Sequence, residues 1–213
     1  MSQLAVITCG PSHTPIDSVR RITNFATGEI GTILAQALVA RGWEVICFRG
    51  EGSTSPPPTG VDLRSFTTNN SLAQALQSLT CQPRLVFHAA ALCDFQVARI
   101  EGARIEGARI EEKIPSRRGP LTLLLEPAPK VLPRLRDWFP EARLAGWKYE
   151  LEGTRPEVLE KAAAQIVESR TDACVVNGRA FGTGFGILLP DGTLHEQPDK
   201  TSLAAALLAL LAS

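Results

Sequence analysis

The chain reads as an α/β protein: a three-layer, Rossmann-like, doubly wound and mostly parallel sheet with a protruding flap or dimerisation hairpin. Three observations predict it. Strand-like and helix-like segments alternate from Leu4 to about residue 95. The run Arg84 to Leu92 is almost wholly apolar, as expected of a strand covered on both faces of a parallel sheet. Glycines stand at the turns such a sheet needs, Gly10 after the first apolar run and Gly28 at the first helix start. One domain over residues 1–213 is expected, with a flap insertion at about 96–120.

Each element has its own signal. Leu4 to Cys9 is a short apolar run ended by Gly10-Pro11. Gly28 to Ala40 puts Ile30, Leu34, Ala37 and Leu38 on one helical face, and Gly42 follows where helices favour glycine. Trp43 to Phe48 is the next strand, and Gly50 to Gly60, rich in Gly, Ser and Pro, is a loop. Val61 to Thr67 reads as a strand, Leu72 to Leu79 as a helix and Arg84 to Leu92 as the central strand. Ligands of such sheets sit beyond the carboxyl ends of the strands, here the Gly10 turn, the Gly50 loop and Leu92 to Phe95.

The second half begins with a repeat, ARIEG, ARIEG, ARIEE, over Ala98 to Glu112. It is too short for a solenoid and reads as an elongated hairpin or flap. Leu121 to Leu125 is a strand, Pro129 to Trp138 a helix and Ala142 to Trp147 a strand. Arg155 to Ser169 is an amphipathic helix behind Thr154 as N-cap, with Pro156 in its first turn. Ala173 to Asn177 and Gly186 to Leu189 are strands, Pro190-Asp191-Gly192 is a turn, and Thr201 to Leu211 closes as a helix.

Composition narrows the function. Lys plus Arg and Asp plus Glu are each 22, so the net charge is zero. That argues against a dedicated nucleic-acid or anionic-membrane binder but leaves room for a local anion site. The longest apolar run, Leu203 to Ala212, is ten residues, half of a membrane span. The N-terminus lacks a basic region before its first apolar run, so no secretory leader is expected and a cytoplasmic location is. Cys9, Cys47, Cys81, Cys93 and Cys174 form no CxxC pair and are odd in number. They read as small buried hydrophobes in a reducing compartment.

Several segments are chemically suggestive. Gly28-Glu29-Ile30-Gly31 opens a helix and would offer free N–H groups to an anion; it equally suits a plain helix start with a packing glycine. It is neither GxGxxG nor a Walker loop. Upstream, Arg20, Arg21 and Asn24 form either a phosphate or carboxylate seat or a solvated basic turn. Asp94 follows the central strand, where an acid can hold a metal ion or a ribose hydroxyl, and the small Ala89 to Ala91 before it admit a base or phosphate. His88 reads as a core residue rather than a ligand. Lys113, with Arg117 and Arg118, is either a cationic loop over an anion or an ordinary charged surface.

Taken in order, these motifs resemble the phosphopantothenoylcysteine synthetase (phosphopantothenate–cysteine ligase) family. Gly10-Pro11, Asp17, Val19-Arg20, Ile22-Thr23-Asn24 and Thr27-Gly28-x-x-Gly31 resemble its opening signature. Ala90-Ala91-Leu92-Cys93-Asp94-Phe95 is similar to its Ala-Ala-Val-x-Asp-Tyr, and Glu112-Lys113-Ile114 to the start of its Lys-x-Lys-Lys flap. Pro129-Lys130-Val131-Leu132, Gly146-Trp147-Lys148-x-Glu150, Val176-Asn177, Gly184-Phe185-Gly186 and Lys200 continue the match.

The resemblance implies a ligase of coenzyme A biosynthesis that joins cysteine to 4′-phosphopantothenate through an acyl-nucleotide made from CTP or ATP with Mg²⁺. It implies catalytic roles for Asn24, Lys113 and Arg20. It implies nucleotide or phosphate contacts at Gly10, Gly28, Gly31, Ala90, Asp94, Phe95, Lys148, Asn177 and Phe185, with Asp94 also facing the metal. A homodimer is implied, with a separate decarboxylase protein as a further partner; FMN, nucleic acid and membrane are not expected. The chain departs from the family at Thr14, at Arg21, at Ile114-Pro115-Ser116 in place of repeated lysines, and at Gly178, where an acid usually follows the asparagine. Those departures leave open a catalytically silent, dimeric nucleotide-binding relative. A nicotinamide-dependent reductase is disfavoured, because GxGxxG is missing and Tyr149, the only tyrosine, has no lysine four residues on.

Overall fold

The computed structural model describes residues 3–101, 113–115 and 119–212. From the N-terminus run β1 (Leu4–Pro11), a small hairpin of β2 (His13–Pro15) and β3 (Arg21–Thr23), α1 (Glu29–Val39), β4 (Glu44–Gly50), β5 (Asp62–Phe66), α2 (Asn69–Gln77) and β6 (Leu85–Ala91). Next come β7 (Phe95–Glu101) and β8 (Thr122–Pro127), then a 3₁₀ turn at Leu132–Arg134 leading into α3 (Leu135–Trp138). The chain ends with β9 (Arg143–Tyr149), α4 (Arg155–Ser169), β10 (Ala173–Asn177), β11 (Phe185–Leu188), β12 (Leu194–Gln197) and α5 (Lys200–Leu211).

Eight strands form the main sheet in the order β12-β11-β10-β9-β6-β1-β4-β5. The six from β10 to β5 in that order run parallel, and β11 and β12 are antiparallel additions at one edge. The chain leaves β1 toward one edge, returns through α2 to β6 on β1's other side, and continues to the opposite edge. β1 and β6 are therefore the point where the winding reverses, and a crevice opens at their carboxyl ends.

Side chains alternate across each strand, so the two sheet faces bury different helices. Ile7, Cys47, Phe87 and Val175 pack beneath α1 and α5. Val6, Phe48, Val86 and Leu144 pack beneath α2 and α3, and Cys174 and Val176 beneath α4. That is the three-layer arrangement expected. Every residue of β1 is buried, as its apolar composition requires.

Three elements differ from the sequence reading. The β2–β3 hairpin and β12 are strands of three or four mixed residues, too short to show a period. The expected helix over 129–138 starts late, as a 3₁₀ turn and one α-turn, because Pro129 and Pro133 offer no N–H to an i→i−4 ladder. The stems of the flap, β7 and β8, pair antiparallel with an irregularity between Val97 and Arg99. Most of the ARIEG repeat, with Arg117 and Arg118, lies outside the described residues. All five cysteines are free thiols, three buried and Cys81 and Cys93 half-buried. Burial pushes the Cys174 thiol up to about 12, so it behaves as the apolar residue anticipated. Among the described residues no helix is long and apolar enough to cross a membrane.

Candidate functional site

The crevice beside β6 is a cavity of about 440 Å³. Its wall runs from His88 along the end of β6 to Asp94; Pro129 to Leu132 and Trp147 to Glu150 face that wall, and Gln165 of α4 and Asn177 of β10 complete it. Of the expected site residues, Ala90, Asp94, Lys148 and Asn177 line this space. They come together because β6, β9 and β10 are parallel neighbours and end at the same level.

The cavity mixes charges. Lys148 lies 3.6 Å from Glu150, which also accepts from Lys161 at 2.7 Å. Those lysines, Lys161 first, hold the Glu150 carboxyl below the usual carboxylate range. Asp94 and Lys130 form an exposed pair at 3.3 Å. His88 is buried, with Nδ1 2.7 Å from Thr8 Oγ1. Burial lowers its pKa to about 4, which leaves a neutral imidazole at the cavity floor. It is the core residue anticipated, although it borders the cavity. Among the described residues the Oδ1 of Asn177 is buried with no partner. A buried acceptor left open in a cavity wall is a place for a ligand's donor.

Asn24 reaches the rim from another direction. Its Nδ2 donates to the carbonyl of Ala91, and its Oδ1 accepts from Ala26 N at 3.0 Å. These bonds tie the turn before α1 to the end of β6. Gly28 caps α1 with φ +81°, a left-handed conformation that suits glycine. A Cβ on Gly31 would stand 2.2 Å from the Cys9 Cβ, so this glycine packs α1 onto β1. Gly31 is thus a packing glycine on its sheet side, while its N–H still belongs to the first turn of α1. Gly10, also left-handed, is the penultimate residue of β1, with Ser53 directly above it.

Ser53 belongs to the loop after β4, which folds over the α1 start. Thr54 N and Ser55 N both donate to Thr27 O at 3.1 Å. Beneath them the buried Arg49 donates to Thr32 Oγ1, Ser55 Oγ and Ser55 O. Any anion at the α1 N-terminus would therefore lie beside a buried guanidinium, a cation that the sequence reading passed over between its strand Trp43 to Phe48 and its Gly50 to Gly60 loop.

The remaining expected residues are dispersed. Phe95 is exposed at the start of β7. Phe185 begins β11 and packs against the core under α1 and α5, away from the cavity. Lys113 is exposed, and its neighbour Ile114 is docked on Asp17 and Arg20. Arg20 spends its fork on the Asp17 carboxylate and the Ile114 carbonyl. Among the described residues no cluster of three His, Cys, Asp or Glu side chains forms a metal site.

Asn69 and Gln165 were missed. Asn69 is buried at the first position of α2, where its Oδ1 accepts from Ser12 Oγ at 2.7 Å and its Nδ2 donates to Cys93 O and Pro129 O at 2.8 and 3.0 Å. Ser12, Asn69 and Cys93 thus pin three loops around the crevice. Gln165 carried a legible signal. It falls on the α4 stripe of Val158, Ala162, Ile166 and Ser169, a polar residue where the period demands an apolar one.

A family model described as the DNA/pantothenate metabolism flavoprotein C-terminal domain matches residues 2–212. The coenzyme A biosynthesis bifunctional protein CoaBC of Thermococcus kodakarensis is 31% identical over 182 residues, covering 84% of this chain and 42% of that protein. Its Bacillus subtilis counterpart is 29% identical over 206 residues, covering 93% and 48%. The chain thus spans under half the length of these relatives. Its fold matches the DNA/pantothenate metabolism flavoprotein from Streptococcus pneumoniae with a TM-score of 0.84 at 21% identity, covering 99% of both chains. It also matches a Cab2 mutant in complex with phosphopantothenate-cysteine, with a TM-score of 0.73 at 18% identity, covering 99% of this chain and 85% of that one. Sequence motifs, sheet order and these likenesses agree, and the chain belongs to the DNA/pantothenate metabolism flavoprotein C-terminal domain family.

Proposed function

We propose that this chain is a phosphopantothenate–cysteine ligase, activating the carboxylate of 4′-phosphopantothenate with CTP or ATP and passing the acyl group to cysteine. One observation carries the reading. Ala90, Asp94, Lys148 and Asn177, distant in sequence, line one crevice whose rim Asn24 reaches through Ala91.

A carboxylate is a poor electrophile, so the first step makes it a mixed anhydride. A carboxylate oxygen of the substrate attacks the α-phosphorus; an O–P bond forms and pyrophosphate leaves. Lys113 meets the charge on the departing phosphates, and Gly10, Gly28 and Arg49 shape the anion seat at the α1 start. Asp94, exposed in the crevice wall, is the carboxylate that would hold a Mg²⁺ accompanying the triphosphate. The ion would neutralise triphosphate charge. The open acceptor of Asn177 and the amide of Gln165 give the nucleotide fixed polar contacts. In the second step the cysteine amine attacks the acyl carbon, the C–O bond to the nucleotide breaks, CMP or AMP leaves, and the nitrogen releases a proton. Asn24 holds the acyl carbonyl for that attack.

The dimer is part of the proposal. Phe95, Leu124 and Leu125 leave apolar side chains exposed on the two faces of the β7–β8 ribbon, which a second copy would cover.

Pyrophosphate release by the purified protein tests the function, with 4′-phosphopantothenate, Mg²⁺ and CTP or ATP, with and without cysteine, and the product identified by mass. Formation of phosphopantothenoylcysteine is expected, and the productive nucleotide names the co-substrate. Nucleotide binding without pyrophosphate release would instead mark the silent relative, with Gly178 after Asn177 and the lysine-poor flap as the reasons.

A further inference from the structure

Asp17 carries a buried carboxylate for which the two chemical steps have no use. Its side chain is wholly buried. Burying an acid is costly unless both oxygens are filled, and here they are. Oδ1 accepts from the N–H groups of Val19 and Arg20 at 3.0 and 2.7 Å. Oδ2 accepts from the Arg20 guanidinium and, across 97 residues of sequence, from the N–H of Ile114 at 3.1 Å. Arg20 in turn donates to the carbonyl of that same Ile114 at 2.6 Å. Both peptide groups of Ile114 are thus held by side chains, as a neighbouring strand would hold them. The Ile114 side chain is buried as well.

The turn does not need this acid in order to close, because Ile16 N and Asp17 N already donate to Arg20 O. What the acid adds is the reach to Ile114. The hairpin beneath is anchored in its turn, by Thr14 Oγ1 on Phe95 O and Thr23 Oγ1 on Ser12 O. A rigid path therefore runs from the sheet end through β2 and β3 to the residue that follows Lys113.

We propose that Asp17 is a positioning residue that sets where Lys113 stands by holding the peptide of Ile114. The proposal rests on the role of Lys113 given above. It deepens that role, since one lysine followed by Ile114-Pro115 has no second lysine to replace it when misplaced. Arg20 acts here as the other half of the clamp.

Two measurements test it. Hydrogen exchange read by mass spectrometry over the peptide spanning 113–115 compares the parent with Asp17→Asn, which keeps the shape and removes the charge. Faster exchange there is expected, with α1 and the sheet unchanged. Pyrophosphate release is then measured in Asp17→Asn, Lys113→Ala and the double variant. Asp17→Asn should lose about tenfold, the worth of a charge-assisted hydrogen bond. In the Lys113→Ala background it should lose less than about twofold, because the residue it places is gone. Unchanged exchange, or losses that multiply, would overturn the proposal. Where Asp17→Asn fails to fold, Arg20→Lys keeps the cation and loses the fork, with the same expected pattern. If Lys113→Ala alone releases pyrophosphate at the parental rate, the role of Lys113 fails, and the exchange result still decides whether Asp17 holds the segment.

Discussion

Gly31 shows how little room separates α1 from the sheet. A methyl there meets the Cys9 Cβ, an atom fixed by β1, so α1 must lift. Gly31→Ala gains helix propensity of about 1 kcal/mol, but the overpacking exceeds it. A net loss of about 2 kcal/mol in urea unfolding is expected. His88 predicts a pH effect of definite sign. Its folded value of about 4 lies below the ordinary 6.5. Above pH 6.5 neither state takes the proton. As the pH falls from there toward 4, the unfolded chain takes it and the folded one does not, so stability drops. By pH 5 this one site costs about 2 kcal/mol, and His88→Gln should lose that part of the difference between unfolding at pH 7 and pH 5. Much at this scale was legible: His88 as core, Asn177 and Lys148 at strand ends. Asp17 stood inside a quoted motif, yet its burial depends on Ile114, which no local pattern reveals.

Elements with a clear period or a clear cap were read almost to the residue. Arg155–Ser169 begins after Thr154, whose N–H donates to Glu157, and β10 has the predicted bounds. The β2–β3 hairpin escaped because its pairing is set by contacts with β7 and Ser12 rather than by its own few residues. The junction of α2 with the crevice escaped because a polar first-turn residue is ordinary in any helix. Asn69→Ala would leave the Cys93 and Pro129 carbonyls and the Ser12 hydroxyl without their partner. A loss of about 2–3 kcal/mol is expected in denaturant unfolding, together with weaker nucleotide binding by calorimetry. At α5 the cap is a simpler device. Asp199 accepts from Ser202 N at 2.8 Å, and Asp199→Ala should cost about 1 kcal/mol by the same unfolding measurement.

For the molecule as a whole, alternation of strand and helix was enough to announce a doubly wound sheet, but not the order of its strands. That order is decided by which apolar faces meet. A light-scattering mass near twice the 22.9 kDa of the chain is expected, and Leu124→Asp, placing a charge on the exposed ribbon, should shift it toward the monomer. The central place of β1 has its own bearing on how the molecule is made. Val6 pairs with Ile46 on one side and with Val86 on the other. On a ribosome the first neighbour emerges well before the second, so one edge of the most buried strand waits bare for some 40 residues of synthesis, a few seconds at ordinary speed. That waiting edge is a template for another chain. The crevice, whose wall is β6, does not exist until the wait ends, so a stalled nascent chain that has emerged only as far as residue 84 should display a half-sheet that recruits holdase chaperones and binds no nucleotide.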